Sequence, residues 1–348
     1  MISEIQDKQN IIRFSETDVE VALQSSRETI LKGLYRGAVG FVIAPPDTGK
    51  SFFCMSIAYE LAQPNSQLLG LIESDQPPLK TLIWPIEDTV PGILPRIKQH
   101  LAAFSIEIKI HLEKYVAFYG EEEAICCAGH LQNSTEETKA YLALQQLIEK
   151  ARNYDLVVID TLRDATGSAD EVKDDYYIKT ALEKLAKEAD VALLVVHHPT
   201  KEVARGKEII NSVAGSGLSS TLSKSKLHIY LDRDLKNHPD SIRMRHIKAN
   251  YLSADQQFTK PRLLHWSKEG ILFQNEIGLQ MLTQDLKEIG KLKPKTQKRK
   301  RSKISLEPII IDTDKSLLSE ESKKLAEQAE GPFGKGMADQ LTEMMNKN

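Results

Sequence analysis

The stretch VIAPPDTGKSFFC, residues 42–54, constrains what this chain can fold into more than any other. An apolar run enters a polar turn, and the turn ends in Gly-Lys-Ser before a second apolar run. This order predicts a buried strand over 38–45, a tight loop, and a helix over 51–62. A loop of this pattern aims successive backbone N–H groups at one point and so cradles phosphate. On that reading Pro46, Asp47, Thr48, Gly49, Lys50 and Ser51 form the cradle. Lys50 reaches the β/γ oxygens, the Ser51 hydroxyl binds Mg²⁺, and Gly49 is where a side chain would collide with the phosphate. Ala44 occupies the first position of the pattern in place of glycine, which a small residue at a strand exit satisfies unless positive φ is required there.

Strand-like and helix-like segments alternate after the loop. TLIWPIED (81–88), KYVAFYG (114–120), DLVVIDTL (155–162) and VALLVVHHP (191–199) read as strands. PGILPRIKQHLAAF (91–104), STEETKAYLALQQLIEKARN (134–153) and DDYYIKTALEKLAKEAD (174–190) read as helices, with Pro95 in a first turn or at a kink and Ser134-x-x-Glu137 as a capping box. Strands that are apolar without alternation are covered on both faces, so the expected fold is α/β, a mostly parallel twisted sheet flanked by helices. From about residue 226 the texture turns antiparallel, with a hairpin near Lys268-Glu269-Gly270, and extends one edge of the same sheet. The expected partition is a lead-in over 1–30, one nucleotide-binding domain over 31–290, a basic linker over 291–303 and a weakly helical tail over 304–348.

A nucleotide site also needs carboxylates at neighbouring strand ends. LVVID carries Asp160 to the sheet edge as a Walker-B-type aspartate for Mg²⁺. Glu87, ending TLIWPIED, is the candidate base for the attacking water. VVHHPTK ends in His197 and His198, one of which contacts the γ-phosphate while the other is a satisfied core histidine. CCAGH sets His130 near Cys126 and Cys127, but no second half of a zinc site exists in the sequence, and small buried residues are the simpler reading.

Charge bounds the partners. The chain carries −3 overall, yet 291–303 hold eight Lys/Arg and no acid and 304–348 carry nine acids against five bases, which leaves −7 on residues 1–290. An acidic body binds nucleic acid only through local basic loops or the tail. No apolar run is long enough for a membrane span, no targeting signal is readable and three cysteines make no disulfide framework, so a cytoplasmic protein is expected.

APPDTGKS, PIED, LVVIDTLR, VVHHPTK, AGSGLSS and KANY occur in the order and at the spacings found in RepA-type replicative helicases of plasmids, and over residues 33–275 the chain resembles that family. The resemblance implies a RecA-like ATPase using ATP and Mg²⁺, assembled as a hexameric ring that moves single-stranded DNA. Lys50 and Ser51 match its Walker-A pair, Glu87 its catalytic glutamate, Asp160 its Walker-B aspartate and His197/His198 its sensor. The family's trans-acting arginine has no counterpart; STLSKSKLHIYL offers Lys224 and Lys226, which bring charge without the planar fork. The segment 201–217 matches the family's strand-binding loop, with Lys201, Arg205 and Lys207 as candidate DNA contacts, and the basic tail is a candidate site for DNA or a replication partner. Two other readings stay open: a DNA-stimulated recombinase-like or regulatory ATPase, and a nucleotide-binding scaffold that hydrolyses slowly.

Overall fold

The computed structural model describes residues 28–200, 203, 211, 215 and 217–284. Residues 1–27 of the lead-in, most of the 201–217 loop, the basic linker and the tail fall outside the described residues.

Two strands, β1 (Thr29–Leu31) and β2 (Leu34–Tyr35), form a small antiparallel pair turning at Gly33, whose φ is 85°. Then β3 (Val39–Ile43) enters the loop, and α1 (Lys50–Ala62) leaves it. There follow β4 (Thr81–Trp84), α2 (Thr89–Leu101), α3 (Ile106–Tyr115), β5 (Val116–Phe118), α4 (Thr135–Ala151) and β6 (Leu156–Ile159). After α5 (Leu162–Ala165) and α6 (Asp175–Glu188) come β7 (Ala192–His197), α7 (Ser219–Lys224), β8 (Leu227–Asp234) and β9 (His238–Ala249). The last described elements are β10 (Arg262–Trp266), β11 (Leu272–Phe273) and α8 (Glu276–Gln284).

Nine strands form one sheet in the order β11-β10-β9-β8-β3-β7-β6-β4-β5. The six from β8 to β5 run parallel, and β9 to β11 extend the β8 edge antiparallel. Every residue of β3, β4, β6 and β7 is buried, as strands covered on both faces must be. One face packs on α1, α2 and α3 through Phe53, Ile57, Leu61, Ile93 and Ile108; the other packs on α4, α6 and α7 through Leu147, Leu182, Leu185 and Leu222. The chain leaves β3 for β4 on one side and returns through β7 to β8 on the other. This reversal opens a crevice at the carboxyl ends of the strands, the usual ligand position in such sheets.

Several local readings shift. The Ser134 hydroxyl caps α4 by accepting from Glu136 and Glu137 N–H, but the Glu137 carboxylate accepts from Asn133 N–H, one residue before the box predicts. Pro95 lies inside α2. Ile106–Tyr115 form a helix, capped by the Ser105 hydroxyl, that takes the first two residues of the strand expected over 114–120 and shortens it to β5. Among the described residues no helix is long and apolar enough to cross a membrane.

One buried acid braces the packing of α1. Glu60 is inaccessible, and its carboxylate accepts N–H bonds from Leu69, Gly70 and Leu71 at 3.2, 2.8 and 3.2 Å. Burial nevertheless pushes its carboxyl up to about 7. Replacing it leaves three buried amides without an acceptor, each a desolvation loss. Glu60→Ala is expected to cost about 3 kcal/mol of unfolding free energy by urea titration.

Candidate active site

The carboxyl end of β3 opens the site. Ala44 donates its N–H to the His197 carbonyl at 3.1 Å and is buried with ordinary backbone, so no glycine is needed there. The loop then folds on itself: Asp47 has φ 58°, and the Thr48 hydroxyl donates to the Pro45 carbonyl at 2.8 Å. Pro46 and Asp47 are exposed. Gly49 stands at the N-cap of α1 in the left-handed region, φ 89°, so the free N–H groups of the first helical turn face outward. Its lack of a side chain has a second cause besides room for phosphate. A Cβ there would lie 2.7 Å from the Trp266 ring of β10. Lys50 is buried and donates to the Pro45 carbonyl at 3.3 Å, which folds its ammonium over the loop.

Two strands away, β6 delivers Asp160. Its N–H donates to the Trp84 carbonyl at 2.9 Å, and its carbonyl accepts the Glu87 N–H at 3.1 Å, tying the ends of β4 and β6 together. Its side chain is buried beside the Ser51 hydroxyl, which favours its ionised form. The second oxygen, Oδ1, is buried without a hydrogen-bonding partner. The Asp160 carboxyl is pushed up to about 6, first by burial and then by the Glu87 and Asp88 charges, against the Ser51 hydroxyl and Lys50. Glu87 is exposed in the turn after β4, and Asp88 beside it pairs with Arg96.

The two histidines part. His198 is half-buried at the site beside the Ala44 backbone, with its Nδ1 buried without a partner. Burial, and then the Lys50 charge, hold it below the ordinary imidazole value, opposed by Glu87 and Asp164. His197 is buried against Phe41, ring centroids 6.3 Å apart, with Nδ1 3.8 Å from a Glu171 carboxylate oxygen. A Cβ on Gly215 would lie 2.9 Å from its ring. Lys50, Ser51, Glu87, Asp160 and His198 therefore converge. Lys224, at the end of α7, and Lys226, before β8, lie at the opposite edge of the sheet beside Gly37 to Val39, where β3 begins. Lys201, Arg205 and Lys207 fall outside the described residues.

Trp266 and Asp164 were missed by sequence reasoning. Trp266 meets Gly49 only through tertiary packing, and no local pattern announces it. Asp164 was readable: it follows Asp160 by four residues in IDTLRD and accepts the Thr161 hydroxyl at 2.6 Å.

The donor set fits a magnesium-bound nucleotide. Asp160 Oδ1, the Ser51 hydroxyl and phosphate oxygens are the hard oxygen ligands Mg²⁺ takes, and the helix N-terminus with Lys50 suits the phosphates.

Fold and site together define a P-loop ATPase of RecA-like architecture. An AAA domain profile matches residues 7–204, more than half of the sequence, and the chain belongs to the AAA domain family. No curated protein matches the chain. Among solved structures, the ATPase domain of G40P superposes with a TM-score of 0.51 at 13% identity, over 76% of this chain and 100% of that one. A DnaB-like replicative helicase, solved for its interactions with primase, gives a TM-score of 0.47 at 14% identity, over 79% and 70%. The likeness to the G40P domain is one of fold.

The raised Asp160 carboxyl has a defined pH signature. The ionised form is penalised in the folded protein, so this group's contribution to stability is full below about pH 4 and lost as pH rises through 6. Asp160→Asn should therefore raise the melting temperature of the nucleotide-free protein at pH 8. The gain should vanish near pH 4, as followed by differential scanning fluorimetry.

Proposed function

We propose that the chain is the ATP-hydrolysing subunit of a ring motor, of the RepA helicase type, that moves single-stranded DNA. The observation that carries this reading is the Ser51 hydroxyl against the buried Asp160 carboxylate, with Lys50, Glu87 and His198 around them. Bound ATP with Mg²⁺ supplies a scissile phosphoanhydride whose charge is partly neutralised by the metal. Around it, Lys50 swings from the Pro45 carbonyl to the β/γ oxygens, and the amides of Thr48 to Ser51 hold the phosphates. Ser51 and Asp160 hold the metal. Glu87, exposed to solvent beside them, orients and deprotonates the attacking water. His198, neutral because of burial and Lys50, hydrogen-bonds the terminal phosphate, while His197 relays its state to the segment packed on it at Gly215.

Lys224 and Lys226 cannot serve their own subunit's site from the opposite edge. In a head-to-tail ring that edge faces the next subunit's nucleotide, which is where a trans-acting cation is required. Lys201, Arg205 and Lys207 contact the strand's phosphates, and the basic segment 291–303 adds affinity for DNA or a replication partner. Residues 31–290 constitute the ATPase core.

ATP turnover with and without single-stranded DNA, followed by unwinding of a forked duplex, tests the reading. DNA should stimulate hydrolysis and ATP should drive strand separation. Lys50→Ala should abolish nucleotide binding, and Glu87→Gln should keep binding but slow turnover about 100-fold. Hydrolysis indifferent to DNA would refute the motor, and stimulation without separation would favour the recombinase-like alternative.

A further inference from the structure

At the sheet edge where β3 begins there is a cleft of about 250 Å³. Lys179, Lys187, Lys224 and Lys226 line it, with Tyr251 at one wall and Glu183 as the acid among them. Lys187 occupies Glu183 directly, Nζ to carboxylate 2.9 Å. The remaining three ammonium groups have no ion-pair partner among the described residues. The cations converge: the Lys187 hydrogen bond, then the Lys179 and Lys224 charges, hold the Glu183 carboxyl below its ordinary range. Burial, and then Lys226, likewise lower the neighbouring Lys248 ammonium, which donates to the Leu222 and Ser223 carbonyls at 2.8 and 2.7 Å and fixes the end of α7. An excess of positive charge in a concave site calls for an anionic occupant.

The opposite edge of the same sheet presents one. Past the carboxyl end of β5, Glu121, Glu122 and Glu123 stand exposed in succession. The segment is held in place rather than free. The Trp84 indole donates to the Glu121 carbonyl at 2.7 Å, and four residues on, Ile125 N–H donates to the Ala165 carbonyl at 2.9 Å. None of the three glutamates forms an ion pair among the described residues, although Glu122 shares a cavity of about 370 Å³ with Arg163. Because ridge and cleft lie at opposite edges of one sheet, a chain cannot fill its own cleft. Two unlike, complementary patches on one surface make a head-to-tail contact, which closes as a ring or runs on as a filament.

We infer that the lysine cleft receives the Glu121–Glu123 ridge of a second copy of this chain. The inference rests on the ring reading above and specifies its interface. It gives the unpaired lysines separate tasks: Lys179 takes the ridge, while Lys224 and Lys226 come to lie toward the neighbour's catalytic edge, which carries Glu87 and Asp160 beside the ridge. Rim charges of this kind set partner orientation and are sensitive to salt.

The test is a charge exchange on the full chain with the ATP analogue and Mg²⁺ present, read by analytical ultracentrifugation. The cleft variant carries Lys179→Glu; the ridge variant carries Glu122→Lys and Glu123→Lys. Each alone is expected to weaken assembly about tenfold or more while melting as the wild type does. Mixed one to one, the two should assemble again, because each cleft then meets a ridge of opposite sign. Undiminished assembly by either variant alone, or no recovery on mixing, overturns the inference. So does a cleft variant that loses affinity for single-stranded DNA while assembling normally, which would make the cleft a phosphate-backbone site. A wild-type chain that stays monomeric under every condition overturns the ring reading itself.

Discussion

The contact between the Ser51 hydroxyl and the Asp160 carboxylate is the constraint to which the rest of the structure answers. It joins the first turn of α1 to the end of a strand two places away, and it places a carboxylate where water scarcely reaches. A buried acid with one oxygen unpartnered is costly in a resting protein. Sites that bind metal carry such groups because the ion later satisfies them. Everything that fixes the pair is correspondingly rigid: fully buried β3 and β6, the splice from Asp160 to Trp84 and Glu87, and Trp266 pressed on Gly49.

Polarity runs through the whole sheet. Carboxyl ends gather Glu87, Asp88, Asp160 and the Glu121–Glu123 ridge, while the edge where β3 starts gathers lysines. At that edge Arg96 is taken up by Asp88 and Arg163 lies among Glu122 and Asp164, so Lys50 is the cation set against the phosphate loop. The supply of positive charge on the far edge gives a physical reason for turnover to depend on a neighbour, and the reason does not require an arginine.

Much of this was legible in the sequence. Apolar runs without alternation announced the parallel core, and the loop, Asp160 and Glu87 followed from strand ends. What escaped has identifiable causes. In SIEIKIHLEKY the isoleucines alternate with period two, yet only Ile108 and Leu112, spaced as helix neighbours, are buried; Ile106 and Ile110 stay exposed. The pair β1–β2 is too short to carry a periodic signal and is held by Arg36, which bonds Glu28, Asp155 and the Asp190 carbonyl across the fold. Nor does VVHH reveal which histidine faces the site; packing on Phe41 and Gly215 decides it. The reason for glycine at position 49 was part legible, since the phosphate was foreseen and the positive φ and the indole behind it were not.

A double-mutant cycle of Ser51→Ala and Asp160→Asn, read as the Mg²⁺-dependent part of ATP-analogue affinity by calorimetry, addresses the central claim most directly. If the two side chains hold one metal, the double variant should lose less than the sum of the single losses, with a coupling of about 1 kcal/mol or more. Strictly additive losses would mean that hydroxyl and carboxylate act apart, and the account built on their contact would be wrong.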